Sequence, residues 1–211
     1  MPSYNIWLFV IPFFFGIWMA VARETRVAIM FYVLQTICVA LLYLRFAWFS
    51  SDAMAWMSFA GICGIRIIFI PLLLKRFLKR DLLSARETEY LITPPYAVLI
   101  YLLLGIISLR LVPMFSAGEN GLYFGLSLAV VLVGIAATAI CHHAPKQIMS
   151  LLGADNGVDL AAVLSLQRIS AIADYIVFID VAIAVLCLST IVLRLRRHGH
   201  QHTHNLHDLR G

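Results

Sequence analysis

Four ionisable residues interrupt runs of apolar residues that are long enough to cross a bilayer: Arg66, Asp155, Asp159 and Asp180. An ionisable side chain at bilayer depth costs roughly 2.5–3.5 kcal/mol on insertion scales, so these side chains should face protein or water. Asp155 and Asp159 are four residues apart, which places them on one face of a helix. A buried carboxyl group of this kind can load and release a proton. The alternative is structural hydrogen bonding to neighbouring helices.

The surroundings of Arg66 indicate a packed position. Gly61 and Gly64 precede it and Pro71 follows it. Small residues permit close helix contacts, and a proline leaves one helical carbonyl without its usual donor. Arginine effectively never deprotonates in proteins. We therefore interpret Arg66 as a fixed positive charge that faces a carboxylate in this chain or in a neighbouring subunit. The alternative is a side chain that snorkels to the membrane edge.

The residues beside the acids carry further information. Asn156 and Gly157 are poor helix formers, so this stretch predicts either local unwinding or a close neighbour. Small residues follow Asp180 and allow close packing beside it. Asp174 lies six residues earlier on a different helical face, and we interpret it as a residue at the membrane rim.

A second group of polar residues lies between two apolar runs. His142, His143 and Lys146 are placed at the predicted cytoplasmic rim, where they could relay protons toward the sixth span. An interfacial loop without such a role explains these residues equally well.

The sequence contains no nucleophile–base arrangement, phosphate-binding glycine loop or cofactor-ligating pair. We therefore expect no catalytic residue, no metal and no cofactor in this chain. The cysteines show no metal-ligand spacing and are interpreted as small buried residues: Cys38, Cys63, Cys141 and Cys187. Histidines recur in the tail, residues 198–211, at a spacing that defines no tetrahedral site, so a solvated tail is expected: His198, His200, His202, His204 and His207.

The composition indicates which kind of structure holds the ionisable residues described above. Hydrophobic residues make up 62% of the chain and charged residues 13%, against about 25% charged in soluble domains. The mean hydropathy is +0.92. In lipid, backbone polar groups must be paired internally, so the long apolar runs should be helices. Residues 1–197 are thus predicted to form an all-α, polytopic transmembrane helix bundle.

Seven apolar runs are predicted to span the membrane: residues 4–22, 27–46, 54–74, 95–114, 122–141, 147–166 and 169–193. With the N-terminus outside and the C-terminus cytoplasmic, twelve of the 16 lysines and arginines lie on the cytoplasmic side, three lie outside, and Arg66 is embedded. This distribution follows the positive-inside rule. The net charge of +5 is therefore interpreted as a topology signal, and no nucleic-acid partner is expected.

Several segments occur in an order and spacing typical of a known family: RVAIMFY (26–32), RIIFIPL (66–72), KQI (146–148) leading to DNG (155–157), DVAIAV (180–185) and NLHDLRG (205–211). Over most of its length the chain resembles component E of hydrogenase-4, a membrane subunit of formate hydrogenlyase-type complexes. Its last three spans are also similar to the K subunit of respiratory complex I and the C subunit of Mrp-type antiporters. That family carries two membrane carboxylates on successive helices. Asp180 matches the second, and Asp155 lies about one turn from the first.

The resemblance implies a small subunit between a redox arm and antiporter-like subunits, which passes charge along a lateral polar axis. The family usually has Glu in place of Asp155 and Lys in place of Arg66. Because arginine keeps its proton, Arg66 is expected to bias a carboxylate and not to carry the proton itself.

These observations predict a non-catalytic membrane subunit of a respiratory-type oxidoreductase complex in a bacterial or archaeal cytoplasmic (inner) membrane. Asp155 and Asp180, helped by Asp159 and Arg66, would form part of a proton or cation path. The resemblance implies antiporter-like membrane subunits, a membrane anchor subunit, and a soluble redox arm with iron–sulfur clusters and a metal centre as partners. The alternatives are a purely structural scaffold subunit and a subunit of a Mrp-type cation/proton antiporter.

Overall fold

The computed structural model describes residues 5–50, 53–77, 92–115, 119–141 and 144–165, and nearly all of these residues are helical. The helices are, in order, α1 (Trp7–Val21), α2 (Thr25–Ser50), α3 (Ala53–Gly61), a π-helical segment (Ile62–Phe69), α4 (Ile70–Phe77), α5 (Pro94–Phe115), α6 (Glu119–Ile140) and α7 (Ala144–Ser165). The predicted all-α class is confirmed for this part of the chain.

Within the described ranges, four helical stretches are long and apolar enough to cross a membrane: Thr25–Ser50, Ala55–Leu72, Pro94–Val112 and Gly121–Ile140. The second runs without a break through α3, the π-helical segment and α4. Helix α1 is apolar but has 15 residues, about 22 Å at 1.5 Å per residue. The helices coincide with the first six predicted spans, and the seventh, residues 169–193, lies outside the described residues.

Helix α5 shows how the apolar residues are divided between packing and exterior. Its buried positions, Ala97, Tyr101, Gly105 and Ser108, recur every three or four residues and form one face. A Cβ at Gly105 would lie 2.6 Å from Cζ of Phe13 in α1, so the glycine lets this ring pack against α5. The other face exposes large apolar side chains, among them Tyr96, Leu99, Leu103 and Ile106. A continuous apolar exterior fits apolar surroundings.

Helix α7 packs closely against α6 through two glycines. A Cβ at Gly134 would lie 2.5 Å from the backbone nitrogen of Ala154, and one at Gly157 would lie 2.7 Å from that of Val131. Helix α7 is unbroken from Ala144 to Ser165. Of the two possibilities that Asn156 and Gly157 raised, local unwinding is therefore wrong, and the close neighbour is observed.

Replacement of Gly134 by Ala should lower the stability of the protein. The added methyl group meets backbone and Cβ atoms of Ala154, and overpacking of this kind typically costs about 1–3 kcal/mol. The measurement is the unfolding midpoint of the purified protein in detergent. Gly64 is the matched control, because a Cβ there meets nothing within 4 Å. Alanine at position 64 should leave the midpoint unchanged or raise it. Equal effects of the two substitutions would contradict the packing described here.

Candidate functional site

Arg66 lies in the π-helical segment, where the helix is wider than an α-helix. The backbone N–H of Ile70 donates to the carbonyl of Ile65, five residues back. Pro71 has no N–H, and its ring crowds the carbonyl of Ile67 in a regular α-helix. The wider winding is one way to relieve this crowding. π-Helical turns are rare and occur frequently at functional sites. The Arg66 side chain in this segment is buried, with 1% of its surface exposed.

One turn of α7 supplies the partners of Arg66. Its Nη2 lies 2.7 Å from Oδ2 of Asp155. Its Nη1 forms an ion pair with Oδ2 of Asp159 and donates a hydrogen bond of 3.2 Å to Oδ1 of Asn156. The side chains of Asp155 and Asp159 are 25% and 6% exposed. Of the possibilities left open by the sequence, Arg66 therefore faces carboxylates of its own chain. We call Arg66, Asp155 and Asp159 the charged cluster.

Asn156 connects the charged cluster to α2 and α1. Its Nδ2 donates to Oε1 of Gln35 at 3.2 Å and to Oγ1 of Thr36 at 3.0 Å. Nε2 of Gln35 in turn donates to the carbonyl of Pro12 at 3.1 Å. Arginine can only donate and a carbonyl can only accept, so the direction of the whole chain of hydrogen bonds is set at both ends. The amide groups of Asn156 and Gln35 each use both their donor and acceptor sides.

Two glycines make room for Gln35 between α1 and α7. A Cβ at Gly16 would lie 3.3 Å from Nε2 of Gln35, and one at Gly153 would lie 3.2 Å from its Oε1. The Cβ at Gly153 would also lie 2.5 Å from Cε of Met19. Larger residues at these positions would displace the amide that joins the three helices. The polar network therefore depends on the close approach of α1, α2 and α7.

The charge balance of the cluster is uneven. One guanidinium faces two carboxylates, so the cluster carries a net charge of −1 when both acids are ionised. Arg66 keeps its charge, and a net charge is costly away from water. The cluster can become neutral by binding one proton on Asp155 or Asp159.

Sequence reasoning missed the partners that α2 contributes to the site. Gln35 and Thr36 are adjacent polar residues near the middle of a mainly apolar helix, and both are buried. Such a pair was a usable signal, because buried polar groups are nearly always hydrogen-bonded. Tyr32, one turn earlier, is also buried and interacts electrostatically with Arg66, Asp155 and Asp159.

The remaining predicted site residues do not join the charged cluster in the part of the chain that the structure describes. Lys146 is buried near the start of α7. It lies nine residues before Asp155, about 13 Å along the helix axis. His142, His143, Asp174, Asp180 and the histidine tail lie outside the described residues. Among the described residues, no group of three or more His, Cys, Asp or Glu side chains could hold a metal ion.

Comparisons with protein-family models, with curated proteins and with solved structures found no match to this chain. The class of protein is therefore defined by fold and site alone. The described residues form an all-helical structure with four helical stretches that could cross a membrane. One buried arginine in it is held against two carboxylates.

Replacement of Arg66 by Met should strongly destabilise the protein, because two carboxylates then lose their counter-charge. Breaking a buried ion pair on one side typically costs about 3–5 kcal/mol. The additional changes Asp155→Asn and Asp159→Asn should restore most of this loss, since no uncompensated charge remains. Denaturant unfolding of the purified protein in detergent measures both effects.

The matched control is Arg110→Met, which removes an exposed arginine from α5 and should change little. A triple variant no more stable than Arg66→Met alone would show that charge balance does not govern the stability of this region.

Proposed function

We propose that this protein is a membrane subunit of an ion-translocating, respiratory-type complex, and that its charged cluster takes up and releases one proton. The observation that carries the proposal is the pairing of two carboxylates with one arginine in a buried position. Such a cluster has two accessible charge states that differ by one proton. A proton path through a membrane requires groups that can take up a proton and release it again.

The roles within the charged cluster follow from its chemistry. Arg66 supplies a constant positive charge and cannot itself carry the proton. The proton must therefore reside on a carboxyl group. Asp155 is the more exposed of the two acids and Asp159 the more buried. We assign Asp155 to exchange with the rest of the path and Asp159 to hold Arg66 in place when Asp155 is protonated.

The wider proposal rests on the apolar helices and on the resemblance to component E of hydrogenase-4. Seven spans, an outside N-terminus and a cytoplasmic C-terminus are part of it, as is a bacterial or archaeal cytoplasmic membrane. Asp180 would be the next residue to carry the proton. A relay at the membrane rim would consist of His142, His143, Lys146 and Asp174. The redox cofactors would belong to partner subunits related to those of group 4 hydrogenases and complex I.

A structural scaffold is the second candidate function, and the hydrogen-bond chain from Arg66 to Pro12 favours it. That chain joins the π-helical segment, α7, α2 and α1. In a scaffold the same charges would pin helices together and would never exchange a proton. The two functions therefore predict different consequences of neutralising a single acid.

Separate replacement of Asp155 and Asp159 by Asn should strongly reduce proton transfer without loss of assembly. Each variant leaves one guanidinium against one carboxylate, a balanced pair that has no excess acid to protonate. We expect proton transfer to fall at least about tenfold, equivalent to about 1.4 kcal/mol or more in barrier height. The measurement is pH-sensitive dye fluorescence in proteoliposomes that contain the intact complex during redox turnover.

Asp155→Glu is the matched control, because it keeps the carboxyl group and should retain most of the transfer. Loosened assembly with intact coupling in both Asn variants would establish the scaffold instead. A transfer rate that follows sodium concentration and not pH would replace the proton by a cation. Identification of co-purifying subunits distinguishes a redox complex from a Mrp-type antiporter.

A further inference from the structure

Tyr32 is a buried polar side chain whose hydroxyl group lacks a conventional role. The side chain is 0% exposed, and its hydroxyl group has no hydrogen-bond partner within 3.5 Å among the described residues; the Thr36 side chain is the neighbour with which it interacts. Buried hydroxyl groups in proteins are usually paired, and an unpaired one requires an explanation. Phenylalanine would fill the same volume without this cost.

The position of Tyr32 relates it to the charged cluster. It lies one turn before Thr36 on α2, and the Thr36 hydroxyl group donates to the Tyr32 carbonyl while accepting from Asn156. Among the described residues, the titratable groups that act on Tyr32 are Arg66, Asp155 and Asp159. Tyr43, from the same helix, acts on Arg66 as well. Tyr32 therefore lies one helical turn from Thr36, which binds the Asn156 side chain of the site.

A second donor at the site is also unused. Nε of Arg66 is buried and has no hydrogen-bond partner among the described residues. Two donor atoms at or beside the charged cluster, Nε of Arg66 and the hydroxyl oxygen of Tyr32, thus have no hydrogen-bond partner within 3.5 Å among the described residues. Unused donors beside carboxylates are suited to stabilise additional negative charge, because hydrogen bonds to an ionised acceptor are stronger than those to a neutral one.

We propose that Tyr32 is a positioning residue of the proton site: its hydroxyl group donates to a cluster carboxylate when that carboxylate has released its proton. This inference rests on the function proposed above. The departing proton comes from the carboxylic acid and passes to the next acceptor in the path, while Tyr32 keeps its own proton throughout. A neutral donor suits this task, because it stabilises the ionised state without adding a second positive charge to the protonated state. The hydroxyl proton can rotate between the two states.

The test is Tyr32→Phe in the protein purified from its membrane with its accompanying subunits. The pH dependence of the carboxylic acid C=O band is followed by infrared difference spectroscopy, and the Asp155→Asn and Asp159→Asn variants identify the band of the cluster. Loss of a donor disfavours the ionised form, so deprotonation should require a higher pH. A hydrogen bond to a charged acceptor corresponds to a shift of about one to two pH units.

Tyr101→Phe is the matched control, since Tyr101 is equally buried but lies on α5, which contributes no residue to the cluster. It should leave the midpoint of the titration unchanged. Difluorotyrosine at position 32 provides a second variant that keeps the ring and strengthens the donor, and it should move the midpoint to lower pH.

The outcomes separate the two proposals. A cluster band that titrates normally in both Tyr32 variants would overturn the role of Tyr32 and leave the proton site standing. The absence of any titrating cluster band in the native protein would overturn both. Failure of Tyr32→Phe to assemble leaves the difluorotyrosine variant to decide, and an unshifted midpoint there would overturn the role of Tyr32.

Discussion

The arrangement of the described helices depends on one constraint, which is that a buried arginine cannot give up its charge. Arg66 must therefore be surrounded by negative charge and hydrogen-bond acceptors. A single turn of α7 supplies all three observed partners, Asp155, Asn156 and Asp159. The side-chain amide of Asn156 in turn donates hydrogen bonds to Gln35 and Thr36 of α2. The guanidinium group itself is carried by the π-helical segment. The contacts of one side chain thus connect the π-helical segment to α7 and, through Asn156, to α2.

The same stretch of α7 makes the close helix contacts and carries the polar side chains of the site. Gly157 lets α7 approach the backbone of α6, and it follows directly after two residues that bind Arg66. Gly153, one turn earlier, makes room for the amide of Gln35. Packing places α7 among its neighbours, and the same turn presents its polar side chains to α2 and the π-helical segment. A change that separates the helices would therefore also open the site.

Stability alone is a weak explanation for this cluster. Burying an ion pair incurs a desolvation penalty that its mutual attraction often only balances, and apolar residues of similar volume commonly serve as well. A second carboxylate adds a further desolvation penalty without adding a second positive charge to offset it. The hydrogen bonds from Asn156 to Gln35 and Thr36 support a structural role for the amide. They do not account for a second acid opposite Arg66. That surplus is what the proton-exchange proposal explains.

The sequence by itself determined the helical class, the approximate bounds of six helices and the shared face of Asp155 and Asp159, because helical periodicity and apolar run length are local properties. It also singled out Arg66 as a charge that required a partner. Only the tertiary structure decided which partner that was, since Arg66 and Asn156 are 90 positions apart and meet through helix packing. The same packing decided that Gly157 serves a close neighbour instead of an unwound turn. It also decided that Gln35 reaches Pro12, because contacts between helices depend on residues from several elements at once.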